Sequence, residues 1–598
     1  FFERESARYE FPLPSREYIS QVLTDEGRPL SFIGLTELLD IAGSEREMFQ
    51  RRLGAMEREG QLMRNRKGDY ILPERASLTL GKIQGHPDGY GFLIPDDGSA
   101  DIFLDQHQMG KALHGDRALV RVTGIDRKGR PEGGIVEVTE RANTRVIGRV
   151  LVEHGVVFVV PENKRIAQDI LVSVDKKSKF KPVAGQVVMV DIIEQPSKFS
   201  KPIGQITEVL GNYADPGMEI EIALRKHDLP FEFSKAALEE NKELPDKVKK
   251  TDLKGREDLR EIPLVTIDGE TARDFDDAVF CEKSGRGWRL VVAIADVSHY
   301  VKPGMALDKE AMDRGNSVYF PRRVIPMLPE KLSNGICSLN PDVERMAMVC
   351  DMEISAAGKI GKYRFYPAVF KSKARLTYNQ VWSWLSGEAK PESEIHSALQ
   401  PQLKNLYKLF QTLHKAREQR GAIDFETTET QMLFNEQGKI ENIVPVVRND
   451  AHRVIEECML AANVCASDFL AEHKQVCLYR VHAAPSEEKL RNLRTFLGEF
   501  GMALSGGDDP KAKDYALLLE KVKLRPDFQL LQTVMLRSLK QAMYSPDNVG
   551  HFGLAYEHYT HFTSPIRRYP DLLVHRAIKA VLAKQTYTPV SSWDDIGL

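Results

Sequence analysis

The sequence predicts a multidomain α+β protein: a helical unit with a winged hairpin, two small five-stranded β-barrels, and a large α/β region. Three observations predict it. Apolar residues recur at helical spacing near the N-terminus. Short alternating strands then occur twice, in segments offset by 66 to 68 residues. From about Pro263 onward, apolar strand-like runs alternate with amphipathic helices. At roughly 100–200 residues per domain, 598 residues hold several. The expected divisions are 1–75, 76–142, 143–212 and 213–598.

Composition narrows the class. Hydrophobic residues make up 42%, enough for real cores. A net charge of −3 argues against a surface coated in nucleic acid, yet leaves room for a local basic channel. Six cysteines, at 281, 337, 350, 458, 465 and 477, form no CxxC pair. Neither a zinc ribbon nor a disulfide framework is expected, and a reducing cytoplasm suits such thiols. The opening FFERESARYEF is charged and lacks an apolar signal core. No run of about 18 apolar residues occurs, so no membrane span is expected.

Each element follows from local signals. Ser15 is placed to cap a helix over Arg16–Leu23, and Ser31 a second. Glu45–Glu59 carries Met48, Phe49, Leu53 and Met56 at helical spacing, and Gly60 ends it. QLMRNRKGDYILP then gives two short strands around Lys67-Gly68. Three helices plus a wing form the winged helix-turn-helix pattern. Arg51, Arg52, Arg58, Arg64, Arg66 and Lys67 gather on its third helix and wing, the footprint of nucleic-acid contact; a small helical adaptor is the plainer alternative.

In the repeated segments Leu80-Gly81-Lys82-Ile83 matches Ile147-Gly148-Arg149-Val150, GFLIPDD matches VFVVPEN, and DIFL matches DILV. Five short strands per unit suit an OB barrel. The first unit sets Tyr90, Phe92 and Phe103 on neighbouring strands, near Lys82 and His86. Such rings either fill the barrel or stack single-stranded bases, at roughly 1–3 kcal/mol per base. GYGFL…DIFL resembles cold-shock domains, whose matching rings face RNA. The second unit keeps only Phe158 and should stack less well. Residues 214–260 read as a polar connector.

The densest chemistry lies in TIDGETARDFDDAV, which sets Asp268, Asp274, Asp276 and Asp277 within ten residues, with Glu270 between them. Apolar Ile262, Leu264, Val265 and Ile267 lead in, and LVVAIADVSHYV follows, so the cluster is expected to be buried rather than a solvated loop. Two carboxylates about 4 Å apart repel by about 4 kcal/mol at an effective dielectric near 20. Packing several together requires protons or cations. Oxygen-only ligands favour Mg²⁺ or Mn²⁺ over zinc, and two such ions can drive phosphodiester hydrolysis. The spacing is not that of an EF-hand.

HFTSPIRRYPDLLVHR puts Arg567 and Arg568 at or just before a helix that starts at Pro565 or at Pro570-Asp571. Positive charge there opposes the helix dipole unless an anion binds. The arginine fork suits phosphate, and an ion pair with Asp571 is the alternative. AHRVIEECMLAANVCASDFL is an amphipathic helix on which Glu457, with Ala461 four and Val464 seven residues on, is a candidate for a ribose hydroxyl; an ordinary surface glutamate is the equal alternative. Tyr319 in GNSVYFP and Phe425 in RGAIDFE read alone as core aromatics. His551, His558, His561 and His575 are spaced too irregularly for a metal set.

Together TIDGETARDFDDAV, GNSVYFPRRVIPMLPEKLSNGICSLNP and HFTSPIRRYPD resemble the RNB family of exoribonucleases, and the resemblance covers nearly the whole chain. It implies two OB-type cold-shock barrels followed by a large α/β RNB catalytic domain. Asp268, Asp274, Asp276 and Asp277 match the family's active-site aspartates, with Asp268 and Asp277 as metal ligands and Asp276 most critical for cleavage. Tyr319 and Phe425 match aromatics that clamp bases at the 3′ end. Glu457 is similar to a residue that contacts RNA nearby, and Arg567 to the arginine that steadies the scissile phosphate. The resemblance implies Mg²⁺, or Mn²⁺, and processive release of nucleoside 5′-monophosphates from the 3′ end of single-stranded RNA. The helical N-terminal extension marks a branch that also digests structured RNA with a 3′ overhang. A cytoplasmic monomer is expected. Members end in a further OB-type module, and this sequence stops at WDDIGL ahead of it, so a truncated C-terminal end is expected. A non-catalytic cold-shock-type RNA-binding protein would not need the aspartates. A metal-dependent endonuclease or phosphatase would make less use of stacked barrels.

Overall fold

The computed structural model describes residues 13–26, 30–64, 69–72, 78–125, 129–173, 180–425 and 429–597. They form two compact units, divided between Leu229 and Pro230. The expected wing turn at Lys67-Gly68, with Arg66, lies outside the described residues.

The first unit opens with helices Arg16–Glu26, Phe32–Leu38 and Arg46–Arg58, then an antiparallel pair, Met63–Arg64 and Tyr70–Ile71. Ser31 caps the second helix by accepting from the Gly34 amide. Ile19, Leu23, Leu35, Phe49, Leu53, Met56 and Tyr70 close a small core. Several of the basic side chains have partners within the unit. Arg51 pairs with Glu47, Arg52 donates to the Leu13 and Pro14 carbonyls, and Arg64 donates to the Tyr70 hydroxyl.

Two closed five-stranded barrels follow, over Leu78–Glu140 and Arg145–Asn212, with the same strand order. The repeat seen in sequence is a repeat of register: Gly81 pairs with Pro95, and Gly148 with Pro161. A Cβ at either glycine would meet a carbonyl oxygen of the facing strand, at 2.2 Å from Ile94 and 2.4 Å from Val160. Ile83, Leu93, Ile102 and Leu104 fill the first barrel. Tyr90, Phe92 and Phe103 are left half-buried on its outside, and Arg130 lies over Phe92 and Phe103. The connector does not begin where its polar composition suggests. Helix Met218–Lys226 turns Met218 and Ile222 onto Ile147, Val187 and Met189 of the second barrel, so this unit ends at Leu229 rather than at residue 212. Two apolar side chains one helical turn apart decide the placement against a charged background.

The second unit is built on a five-stranded sheet in the order Glu257–Asp258, Ile360–Lys371, Glu344–Ile354, Gly287–Ala295, Asp277–Ser284. Both faces are buried. Leu290, Val292 and Ile294 pack under helices Glu394–Arg420, Asp450–Glu472 and Tyr569–Leu582. Val291, Ala293 and Ala295 pack the other way, against Leu307, Leu332 and Leu572. That is why LVVAIA reads as one continuous apolar run. All six cysteines are buried and unpaired. Among the described residues no helix is long and apolar enough to cross a membrane.

Candidate active site

The aspartates are delivered by two strands. Leu264, Val265 and Ile267 are buried and bring the short strand Thr266–Asp268 alongside Arg375–Thr377. The chain then loops and returns as the sheet's edge strand, which starts at Asp277. Ser338, from the ICSLNP segment, pins this loop. Its hydroxyl accepts from the Phe275 amide at 3.0 Å and donates to the Arg273 carbonyl at 2.7 Å. The Leu339 amide donates to the Phe275 carbonyl, and Arg345 holds the Ser338 carbonyl from behind.

Asp268, Asp274, Asp276 and Asp277 all open into one pocket of about 1320 Å³, together with Arg567, Arg568 and Tyr319. Asp276 is 4% exposed. Its Oδ1 accepts from the Ile566 amide at 2.9 Å; its buried Oδ2 has no hydrogen bond and lies 3.4 Å from Arg567 Nε. Burial first, then neighbouring Asp274 and Asp277, push the Asp276 carboxyl well above its ordinary range, against the pull of Arg567. Burial, then the Asp268 carboxylate, raise Asp277 to about 7. Burial also raises Asp268. Asp274 accepts from the Tyr319 hydroxyl at 2.7 Å, leaving the Tyr319 ring 52% exposed on its hairpin.

Of the two helix starts open in the sequence, the structure uses the second, with Arg568 as N-cap. The Arg567-Arg568 segment is locked to the Gly315–Ser317 turn: Ser317 donates to the Arg567 carbonyl, and Tyr569 to that of Gly315. Arg568 pairs with the fully buried Asp571 at 2.7 Å, whereas Arg567 faces the pocket beside Asp276. Arg568 thus takes the ion pair with Asp571 that sequence left open, while both arginines line the pocket.

Expectations for three other features change. The four aspartates share a pocket but not a point: among the described residues no three His, Cys, Asp or Glu side chains converge as a metal cage. Tyr319 draws Asp274 aside, and Ile566 with Arg567 holds Asp276. The donor set still fits Mg²⁺, which is usually held by one or two carboxylates, with waters and substrate phosphate completing the shell.

Glu457 lies under the helix rather than in the pocket, 5% exposed, with Arg417 3.0 Å from its Oε1. Phe425 is half-buried against Ile423, Leu493 and Leu497, away from the pocket lining, because Ile423 is tied to the Gly553 carbonyl. The pocket-lining carboxylate of that helix is Glu456, on a stripe with His452, Met459 and Asn463. Arg322, Arg448 and Tyr378, whose ring stacks on His452 at 4.0 Å, line it too. The His452, Glu456, Asn463 spacing was readable as a polar helical stripe.

For Glu457→Gln the expected result is a structural defect. Arg417 keeps Glu456 at 3.1 Å but loses its buried partner. Melting should show about 1–3 kcal/mol of destabilisation, with single-turnover cleavage of a short RNA nearly unchanged. A large rate loss at unchanged stability would return Glu457 to the site.

Burial lowers His551 and His575 to about 4 and His561 to about 3, keeping all three neutral.

A buried acidic pocket with a phosphate-suited arginine, on a chain that also carries two OB-type barrels, defines a nuclease acting on RNA. Comparison with known proteins agrees. The RNB domain profile matches residues 256–584, the Ribonuclease B OB domain 81–138 and a Cold shock domain 158–234. Ribonuclease R of Vibrio cholerae is 50% identical over 602 aligned residues, covering 100% of this chain and 73% of that protein. Ribonuclease R of Escherichia coli is 49% identical, covering 98% and 72%. Mycoplasma genitalium RNase R in complex with ribose-methylated single-stranded RNA superimposes with a TM-score of 0.78 at 30% identity, covering 83% of this chain and 78% of that one. The chain belongs to the RNB family of 3′–5′ exoribonucleases, alongside the enzymes called ribonuclease R.

Proposed function

We propose that this exoribonuclease hydrolyses the 3′-terminal phosphodiester of RNA in the Asp276 pocket with divalent metal ions, Mg²⁺ foremost, and works processively to release nucleoside 5′-monophosphates. One observation carries the proposal: Asp276 Oδ2 is buried and unbonded at the wall of a pocket that also holds Asp268 and Asp277, whose carboxyls burial keeps above their ordinary range. Burying that much acid without a cation costs stability. Asp268, Asp274, Asp276 and Asp277 all line the pocket and would hold the metal. Bound metal would supply an activated water and stabilise the leaving oxygen.

The protein's own groups do the positioning. Arg567 directs its charge at the phosphate. Tyr319, fixed by Asp274, offers an exposed ring to the terminal base. Arg322 and Arg448 line the path of the backbone. Tyr90, Phe92 and Phe103 hold single-stranded RNA on the first barrel. A winged helix at the N-terminus would add nucleic-acid contact through the basic side chains of its third helix. Structured RNA with a 3′ overhang fits a site that accepts one strand. A reducing cytoplasm fits six buried thiols.

The test couples metal to pH. Asp277 must be ionised to bind a cation, and its folded pKa is about 7. Below pH 7 protons compete, so the Mg²⁺ concentration for half-maximal rate should rise about tenfold per pH unit, and added Mg²⁺ should restore the rate. An Mg²⁺ requirement that does not vary between about pH 5.5 and 8 would contradict the assignment.

A further inference from the structure

Arg567 reaches Asp276 from a strap with no regular structure. Residues 561–567 form neither helix nor strand, yet they carry the Ile566 amide and the Arg567 side chain that meet Asp276. An irregular segment holds a functional group in place only where side chains supply the bonds that a ladder would otherwise give. Along this strap every second amide donates to a side-chain oxygen: Phe562 to Asn463 Oδ1 at 2.8 Å, Ser564 to Asp571 Oδ1 at 2.7 Å, and Ile566 to Asp276 Oδ1 at 2.9 Å. The far end is locked to the Gly315–Ser317 turn. Asp276 belongs to the proposed chemistry, and Asp571 is engaged by Arg568. The near end therefore depends on Phe562.

Phe562 is gripped from two helices. Asn463, 3% exposed on Asp450–Glu472, accepts its amide and donates through Nδ2 to the Tyr559 hydroxyl at 3.0 Å. One side chain thus spans the entry to the strap. His575, fully buried on Tyr569–Leu582, meets the Phe562 carbonyl through Nε2 at 2.8 Å and stacks on its ring at 4.5 Å. A carbonyl only accepts, so Nε2 carries the proton. The opposite nitrogen, Nδ1, is buried without a hydrogen bond, and the ring is neutral, held at about 4 by its burial. A bare nitrogen in the interior costs free energy that a leucine of similar size would avoid. What the histidine adds over leucine is the bond to Phe562. Both grips are uncharged, so they fix the backbone without adding charge beside an acidic pocket.

We infer that Asn463 and His575 are positioning residues for cleavage: by fixing the amide and the carbonyl of Phe562 they set the strap, and through it Arg567, against Asp276. The inference rests on the assignment of cleavage to the Asp276 pocket, and it asks neither residue to touch RNA.

A double-mutant cycle on the whole chain tests it. Single-turnover cleavage of a short RNA is read with Mg²⁺, and binding of the same RNA in chelator. Asn463→Leu, nearly isosteric, should cut the rate by about 10–100-fold, the scale of a misplacement of about 1 Å, with affinity within about twofold of the parent. In an Arg567→Ala background the same substitution should cost about threefold or less, because the group that it positions is gone. His575→Leu should behave alike, and His575→Gln, whose amide nitrogen can stand where Nε2 stood, should recover most of the rate. Tyr559→Phe removes only the far partner of Asn463 and should show the same pattern at smaller amplitude, which keeps the cycle readable if Asn463→Leu does not fold. Equal fold losses with and without Arg567 would make both residues merely structural and overturn the inference, as would a His575→Gln variant no better than His575→Leu. A rate loss matched by an equal loss of affinity would make Asn463 an RNA contact and overturn it too. Normal cleavage by Arg567→Ala alone would instead overturn the site assignment, and the inference with it.

Discussion

Asp276→Asn is expected to reduce RNA cleavage by at least about 10³-fold while RNA binding is retained and thermal stability does not fall. The substitution is nearly isosteric. Asn Oδ1 can keep the 2.9 Å bond from the Ile566 amide, so the loop keeps its anchor. What disappears is the charge on the oxygen that has no bond of its own. Its removal relieves an unfavourable burial: the folded carboxyl holds its proton more tightly than the unfolded one, chiefly through desolvation. An acid with a raised folded pKa costs stability progressively as pH climbs from its unfolded value through its folded one. The variant should therefore melt at or above the wild-type midpoint at neutral and alkaline pH. Stability that improves while function vanishes is the signature of a strained functional group. Parallel gel-shift, cleavage and melting measurements check all three parts; near wild-type cleavage with Mg²⁺ present would remove Asp276 from the chemistry.

Arg567→Ala should lower single-turnover cleavage by about 10²–10³-fold, the worth of a well-placed transition-state donor, and weaken binding far less. Arg567 is poised rather than consumed: burial works most strongly against its charge, Asp276, Tyr319 and Asp277 together outweigh it, and the pKa stays raised. Its backbone is fixed by Ser317 independently of the side chain, so truncation should not displace the loop. Arg567→Lys should recover only part of the rate, because lysine lacks the planar fork. Normal turnover with much poorer binding would reduce Arg567 to a phosphate anchor.

Local signals carried most of the architecture. Periodicity placed the third N-terminal helix to within a residue or so, and the internal repeat anticipated two barrels that share even the Gly81–Pro95 and Gly148–Pro161 register. The acidic motif was legible because apolar runs bracket it, which is rare for a solvated loop. What failed was rotational detail. Glu456 and Glu457 are neighbours about 100° apart on one helix, and only tertiary packing says which meets the pocket and which meets Arg417. Arg567 and Arg568 posed the same ambiguity, and the buried Asp571 shows which of them takes the ion pair. Phe425 reads alone as a core aromatic, and a backbone bond from Ile423 to Gly553, far away in sequence, sets its segment against a helical cluster.

The central claim is that one strand enters the Asp276 pocket by its 3′ end and is shortened there with metal. The most direct measurement is the fate of a 5′-labelled single-stranded RNA, with Mg²⁺ and with a chelator. The account predicts full-length RNA and a very short labelled remnant with few intermediates in Mg²⁺, no change in chelator, and intact circular RNA in both. Early release of a labelled 5′ mononucleotide, mid-length labelled fragments, or cutting of circles would contradict it.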